Sequence, residues 1–471
     1  MKVCMSNWFG LFLLLALLGV IIVLIGENRH PIKTLAWIMV LVFLPVVGLV
    51  LYLFFGMDNR KRRLVKDEDL RDFKSYEQVN ADLAIDNPQG EYKDLQNLLR
   101  FSNQSIPLKG NALKNYTEFD AMFADMLEDI RSAKDHIHIE FFKIEDDAVG
   151  RALEKELALK ASRGVEVRLQ YDDAANLSRR AFFKRLRRQG IKVQPFLKIR
   201  LPFISYDTNY RNHRKIVVVD GRVAYLGGMN LAERYSTGIR GGKWRDTHLR
   251  IEGPAALEAQ VCFLMDWQFS TKEHLASGRY FPRVEPAGDS VVQVASSGPM
   301  DEYRVIMQAI VQMIAQSREY IYIQSPYLIP TEPVLFALRN AALAGVDVRL
   351  MIPYRGDKGI VPPLASRSYV KEVIHSGVKV YFYNTGYMHS KAIVSDDKVC
   401  TIGSTNVDFR SYEQDFEINA FIYDSDMAVR TRDAFLQDQE LCTLVDEKSW
   451  NSRPWRKRFA ESLARLASPL L

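Results

Sequence analysis

Two stretches of this 471-residue sequence carry the same chemistry-bearing residues at the same spacing. His213, Lys215 and Asp220 are followed by Gly227, Gly228 and Asn230; His389, Lys391 and Asp396 are followed by Gly403, Ser404 and Asn406. Both copies read H-x-K-x4-D, and in both the first glycine stands seven residues after the aspartate. An imidazole can attack a phosphorus centre or carry a proton, while an ammonium and an amide can hold phosphate oxygens. The residue types therefore point to phosphoryl chemistry, and their duplication points to a site in two parts. Asp220 and Asp396 fall at turns, where a carboxylate ties down backbone, so the spacing gives them a supporting place.

The flanking pattern predicts the elements that carry these groups. Ile216 to Val219 is β-branched, and Asp220-Gly221 is a hairpin signal before a second apolar run, Val223 to Leu226. On a strand, His213 and Lys215 share one face. A wider repeat surrounds each motif. Tyr116 to Ser132 and Arg304 to Ser317 have helical apolar spacing, and each precedes a strand, Ile137-His138-Ile139-Glu140 or Ile321-Tyr322-Ile323-Gln324. Gly164 and Gly345, then Gly190 and Gly377, stop helices at matching points before further strands.

Alternating strands and helices predict an α/β fold in two halves, residues 106–290 and 291–450, related by a pseudo-two-fold axis with both histidines at their interface. The first half carries an insertion near Leu197 to Arg211. Asp246 and Glu417 follow the two motifs at comparable places, and either acid suits an imidazole N–H whose tautomer it would fix. Glu140, Gln324, Ser325 and Tyr327 sit at strand ends where substrate contacts arise. The other histidines, among them His136, His138 and His248, lack ligand spacing.

Outside the halves, Trp8 to Ile25 and Leu35 to Phe55 are apolar runs of 18 and 21 residues, near the about 20 that a membrane span needs. Pro45 predicts a kink in the second. Arg60, Lys61, Arg62, Arg63 and Lys66 follow this hairpin (residues 1–56), which places both ends in the cytoplasm by the positive-inside rule. Residues 57–105 read as a charged juxtamembrane linker with some helix. In the tail, 451–471, Trp455, Phe459, Leu463, Leu466 and Leu470 recur at helical spacing among Arg453, Arg456, Lys457, Arg458 and Arg465. Such a helix fits an anionic membrane surface, and equally a dock on the protein's own surface.

With 48% apolar residues the chain can build a substantial core, and a net charge of +6 does not mark a general nucleic-acid binder, so no nucleic acid is expected. Cys4, Cys262, Cys400 and Cys442 have no C-x-x-C spacing, which fits a reducing compartment and no zinc site. No nucleotide-binding P-loop pattern is present.

The duplicated motif with its following G-[GS]-x-N resembles the phospholipase D superfamily, whose two motifs meet at one active site. The leader, through Glu27-Asn28-Arg29, Pro31, Lys33 to Trp37, Leu44 to Gly48, Leu51-Tyr52 and Phe55-Gly56, is similar to that of bacterial cardiolipin synthases. The resemblance implies a catalytic set of His213, Lys215, Asp220, His389, Lys391 and Asp396, supported by Asn230, Ser404, Asn406, Asp246 and Glu417. It implies phosphatidyl transfer between two phosphatidylglycerol molecules through a phosphohistidine on His213, with His389 as acid and then base, giving cardiolipin and glycerol. Neither cofactor nor metal is implied. The setting implied is the bacterial cytoplasmic membrane, multi-pass, with the catalytic part on the cytoplasmic side and an oligomer left open. A hydrolase or a nuclease on the same scaffold, and a non-catalytic lipid-binding protein, are the alternatives. Gly228 where Ser404 stands in the second copy leaves the two half-sites unequal.

Overall fold

The computed structural model describes residues 17–22, 24–26, 31–52, 56, 67–199, 209–239, 242–357 and 359–471. The chain divides into two compact units, residues 1–62 with 199–210, and residues 63–198 with 211–471. The predicted span from Trp8 lies largely outside the described residues, as do the basic cluster from Arg60 to Lys66 and most of the insertion before Arg211.

In the smaller unit, the run expected as one kinked helix forms two, Pro31–Phe43 and Pro45–Leu51, of 13 and 7 residues. Pro45 has no N–H and crowds the residue before it, and Leu44 accordingly leaves the helical region with φ −129° and ψ 66°. Leu24, Leu41 and Tyr52 are buried together, with Trp37 packed edge-on against Tyr52. Among the described residues no helix is long and apolar enough to cross a membrane.

The larger unit carries the duplicated motif. Among the described residues, its first half lays these longer strands into the main sheet: β1 (Leu108–Tyr116), β2 (His136–Phe141), β3 (Glu166–Asp172), β4 (Lys192–Phe196), β5 (Lys215–Val219), β6 (Val223–Gly227) and β7 (His248–Glu252). The second half repeats them as β8 (Ser290–Ser297), β9 (Tyr320–Gln324), β10 (Asp347–Pro353), β11 (Lys379–Tyr383), β12 (Ala392–Ser395), β13 (Val399–Gly403) and β14 (Asp415–Tyr423). The spatial order is β1-β7-β6-β5-β2-β3-β4 in one half and β8-β14-β13-β12-β9-β10-β11 in the other. Strand by strand, each half has the same order. β1 pairs antiparallel with β8 and joins them into one sheet, so the halves mirror each other about that pair.

Within each half the motif strand is central, β5 between β6 and β2, and β12 between β13 and β9. Helices cross over where neighbours are parallel, as from β2 through Ala148–Ser162 to β3, while tight hairpins join β5 to β6 and β12 to β13. β5 is buried on both faces. Its Val217 and Val219 enter the first half's own core, while Ile216 and Val218 enter a core shared with Val394, Ile402 and Ile418 of the second half.

The turn aspartates hold this frame. Asp220 accepts the backbone N–H groups of Lys134, Asp135 and His136 at 2.7, 2.8 and 2.9 Å, and Asp396 those of Arg318, Glu319 and Tyr320 at 2.8, 2.9 and 2.8 Å. Both sit at positive φ, 52° and 53°, which Asp tolerates better than most side chains. Each bond to a charged acceptor contributes about 1.5–3 kcal/mol. The strand-helix junctions of the two halves are therefore pinned in the same way.

Candidate active site

Each motif histidine follows a short parallel bridge to the opposite half. Arg211 and Asn212 pair with Asp415 and Phe416 of β14, and the His213 N–H donates to the Phe416 carbonyl at 2.9 Å. In the mirror position Gly386–Met388 pairs with Lys243–Arg245, and the His389 N–H donates to the Arg245 carbonyl at 2.7 Å. The next residue on each opposing segment is an acid. His213 Nδ1 lies 3.0 and 3.2 Å from the two Glu417 oxygens, and His389 Nδ1 lies 2.5 Å from Asp246 Oδ2. The register thus exchanges the acids: each half supplies the carboxylate that faces the other half's imidazole.

A carboxylate only accepts, so Nδ1 carries the proton in both rings and Nε2 keeps its lone pair; at His389 the proton lies on the shorter contact, to Asp246 at 2.5 Å, with Lys391 Nζ 2.9 Å from the same Nδ1. Burial holds His213 below the ordinary histidine range, and burial with the neighbouring Lys391 pushes His389 down to about 4. Both rings are therefore neutral at pH 7. Burial works against the two carboxylates, yet His213 and Lys215 keep Glu417 below its usual range, and Lys391 and His389 do the same for Asp246.

The lysines stand behind the rings. Lys215 Nζ donates to the His213 carbonyl and Lys391 Nζ to the His389 carbonyl. Burial pushes Lys215 down to about 7 and Lys391 down to about 8. An incoming anion would favour both charged forms again.

The unequal residue in the two motifs has a steric cause. Ser404 Oγ donates to Glu417 and accepts from the Ile418 N–H at 2.9 Å. At the corresponding Gly228, an added Cβ would lie 2.0 Å from Asp246 Oδ1. The carboxylate occupies the space of the missing side chain, so one acid is tied by a hydroxyl and the other by backbone. Asp246 Oδ1 accepts the Thr247 N–H at 2.8 Å.

His213, His389, Asn230 and Asn406 line one cavity of about 570 Å³. Asn230 accepts the Lys143 N–H at 3.2 Å and donates to the Tyr235 hydroxyl at 2.7 Å. Asn406 donates to Asp408 at 2.9 Å, while its buried Oδ1 has no partner among the described residues. The rings are walled differently. Phe142 meets His213 edge-on at 5.0 Å, whereas Trp244, Tyr387 and Tyr235 surround His389 at 5.3, 5.7 and 6.0 Å. Arg211, Arg234 and Arg410 give the cavity positive charge; Asp357 and Asp408 also line it, as does Asp415, whose carboxyl burial pushes up to about 8.

Asp220 and Asp396, by contrast, stand at the far ends of their strands and contact backbone there. Among the strand-end candidates Tyr327 lines the cavity. Glu140 instead accepts from Asn212, Gln324 donates to Asp438 at 2.8 Å, and Ser325 accepts the Val407 N–H at 2.9 Å. Among the wall residues that sequence reasoning did not attach to the site are Leu470 and Leu471. They lie too far along the chain for any local pattern to attach them to the motifs. Asp408 could have been found, since it stands two residues past Asn406.

A family model described as the PLD-like domain of cardiolipin synthase matches residues 126–253 and again 310–439, once in each half. One described as phospholipase D-nuclease N-terminal matches residues 11–56. A cardiolipin synthase of Halalkalibacterium halodurans is 37% identical over 476 residues, covering 98% of this chain and 94% of that protein. One of Staphylococcus aureus is 37% identical over 483 residues, covering 99% of this chain and 97% of that protein. Among solved structures, phosphatidylserine synthase of Haemophilus influenzae superposes with a TM-score of 0.61 at 15% identity, covering 81% of this chain and 100% of that one. That likeness is one of fold.

Proposed function

Because the chain belongs to the cardiolipin synthases of the phospholipase D type, we propose that it joins two phosphatidylglycerol molecules into cardiolipin with release of glycerol. One observation carries the chemistry: two neutral imidazoles line one cavity, each with a carboxylate on Nδ1. In the first step His213 Nε2 attacks the phosphorus of one phosphatidylglycerol. A P–N bond forms, the P–O bond to glycerol breaks, and His389 delivers a proton to the departing oxygen. His389 enters this step as imidazolium, a form favoured once the phosphodiester anion joins Asp246 beside it. In the second step His389 takes the proton from a hydroxyl of another phosphatidylglycerol, whose oxygen displaces His213. One phosphodiester replaces another, so no nucleotide is consumed. Lys215 and Lys391 hold the charge that builds on the phosphoryl oxygens.

Purified full-length protein given phosphatidylglycerol alone should release cardiolipin and glycerol in equal amounts. Phosphatidic acid as the sole lipid product would instead mark a hydrolase and refute the transfer reading.

The same proposal gives the N-terminal segment a two-helix membrane hairpin with the catalytic part in the cytoplasm. Its support is the exposed apolar surface of Leu35, Met39, Val42, Val46 and Val50, together with the family match over residues 11–56. In intact cells, an impermeant thiol reagent should label His30→Cys and spare Lys448→Cys on a chain whose four cysteines are replaced. Labelling of Lys448→Cys would rule this topology out.

A further inference from the structure

The helix Trp455–Arg465 is amphipathic in an inverted sense. Its contact with the protein is made by the polar side. Glu461, Ala464 and Ser468 are buried, and Arg453 grips Glu461 through two bonds of 2.7 and 2.9 Å. Arg465 pairs with Glu372 at 2.8 Å and lies 4.0 Å above the ring of Tyr369, whose hydroxyl meets Ser468 Oγ at 3.1 Å. These contacts dock the helix along Val361–Ile374.

The apolar stripe faces the other way. Trp455, Phe459, Leu463, Leu466 and Leu470 recur at intervals of four, four, three and four residues, which places them on one face. All five are exposed, Trp455 at 65% and Leu466 at 77%. The docked residues fall on the opposite face, so the stripe points outward. Charge follows the same division. Arg453 and Arg465, on the docked side, are paired; Arg456, Lys457 and Arg458 are exposed and form no ion pair among the described residues. A helix docked for the fold alone would bury its leucines and leave its charges to water. Here the leucines are outside, flanked by unpaired cations.

The stripe also ends at the active site. Leu470 and Leu471 line the cavity that holds His213 and His389, and the Leu471 carbonyl accepts the Arg410 N–H at 2.9 Å. Pro362, in the first turn of the helix beneath, lines the same cavity, and its neighbours Ile360 and Val361 are exposed.

We infer that this helix is an interfacial platform that seats the catalytic part on an anionic bilayer and opens the cavity at the depth of the lipid headgroups. The inference rests on the phosphatidyltransferase reading, whose lipids are anionic and too apolar to diffuse freely to a site away from the surface. Apolar side chains at the boundary and cations beside the phosphates are what such a surface binds. The stripe then forms a continuous apolar path along which acyl chains remain in the membrane while the headgroup reaches the histidines.

The test compares two substrates and one binding readout on the full-length protein. Phe459→Ser/Leu463→Ser/Leu466→Ser should lower turnover on phosphatidylglycerol vesicles by about tenfold or more. On short-chain phosphatidylglycerol dispersed as monomers it should match the unsubstituted protein. Arg456→Glu/Arg458→Glu, which leaves the packing intact, should lose vesicle turnover in the same direction, most strongly at low salt. Brominated phosphatidylglycerol should quench the unsubstituted protein more than Trp455→Phe, a readout independent of turnover. Equal loss on both substrates, unchanged vesicle turnover, absent quenching at Trp455, or a stripe buried between two copies in solution would each overturn the inference. An unsubstituted protein that made no cardiolipin from either substrate, yet was quenched at Trp455, would instead refute the reading of the reaction.

Discussion

Replacing His213 with alanine is expected to abolish cardiolipin formation, by about 10⁴-fold or more, because it removes the attacking nitrogen itself. His389→Ala should be comparably severe on phosphatidylglycerol, whose glycerol departs as a poor leaving group without a proton. The two variants separate on a nitrophenyl phosphodiester. A nitrophenolate leaves unprotonated, so His389→Ala should recover a burst of nitrophenol while His213→Ala shows none. The cavity itself is asymmetric: among the described residues Trp244, Tyr387 and Tyr235 surround His389, while Phe142 stands edge-on to His213. A burst from His213→Ala with none from His389→Ala would exchange the two roles.

The second large effect falls on the exchanged acids. Glu417→Gln removes the charge that faces His213 from the opposite half, and Asp246→Asn does the same for His389. Each is expected to cost about 10²–10⁴-fold in turnover, the range seen when an orienting carboxylate is neutralised and the wrong tautomer becomes accessible. The pattern of coupling is the sharper prediction. Asp246→Asn should add little to His389→Ala in the nitrophenyl burst assay, where a burst survives and the ring that Asp246 faces is gone. Glu417→Gln should add its full loss there and to Asp246→Asn, since those two carboxylates serve different rings. If Glu417 were instead coupled to His389, the motif acids would act within their own halves. Loss of activity without a change in folding is part of the expectation, because Glu417→Gln keeps the acceptor that Ser404 Oγ uses.

The elements around the motifs were legible in the sequence because their signals are local. The β-branched run after Lys215, the Asp220-Gly221 turn and the glycines that end helices each fix a few residues without reference to the rest of the chain. Repetition did the remainder: the same pattern seen twice implied the two α/β halves and their shared site. The pairing of acids with histidines was not legible. It depends on Arg211–Asn212 lying in register with Asp415–Phe416, segments about two hundred residues apart. Either acid satisfies the same spacing rule, and only the register selects between them.

The same limit explains the other gaps. Gly228 stood out as a departure from Ser404, yet its cause is the Asp246 carboxylate arriving from a later strand. The five apolar residues of the last helix were visible as a stripe, but not the direction in which it would face. That was decided by Arg465 finding Glu372 on the neighbouring helix and by Arg453 folding back onto Glu461. At Pro45 the local signal was correct in kind and too weak in degree, since a kink became the end of a helix.

In the proposed reaction a phosphatidyl group passes through His213 while His389 handles protons. The most direct measurement is mass spectrometry of peptides from His389→Ala after brief incubation with a phosphatidylglycerol analogue bearing a nitrophenyl leaving group. In this variant the first step can proceed and the second has lost its base, so the adduct should accumulate. A phosphatidyl adduct is expected on the peptide containing His213, absent from His213→Ala. An adduct on any other residue, or product formed with no adduct in either variant, would contradict it.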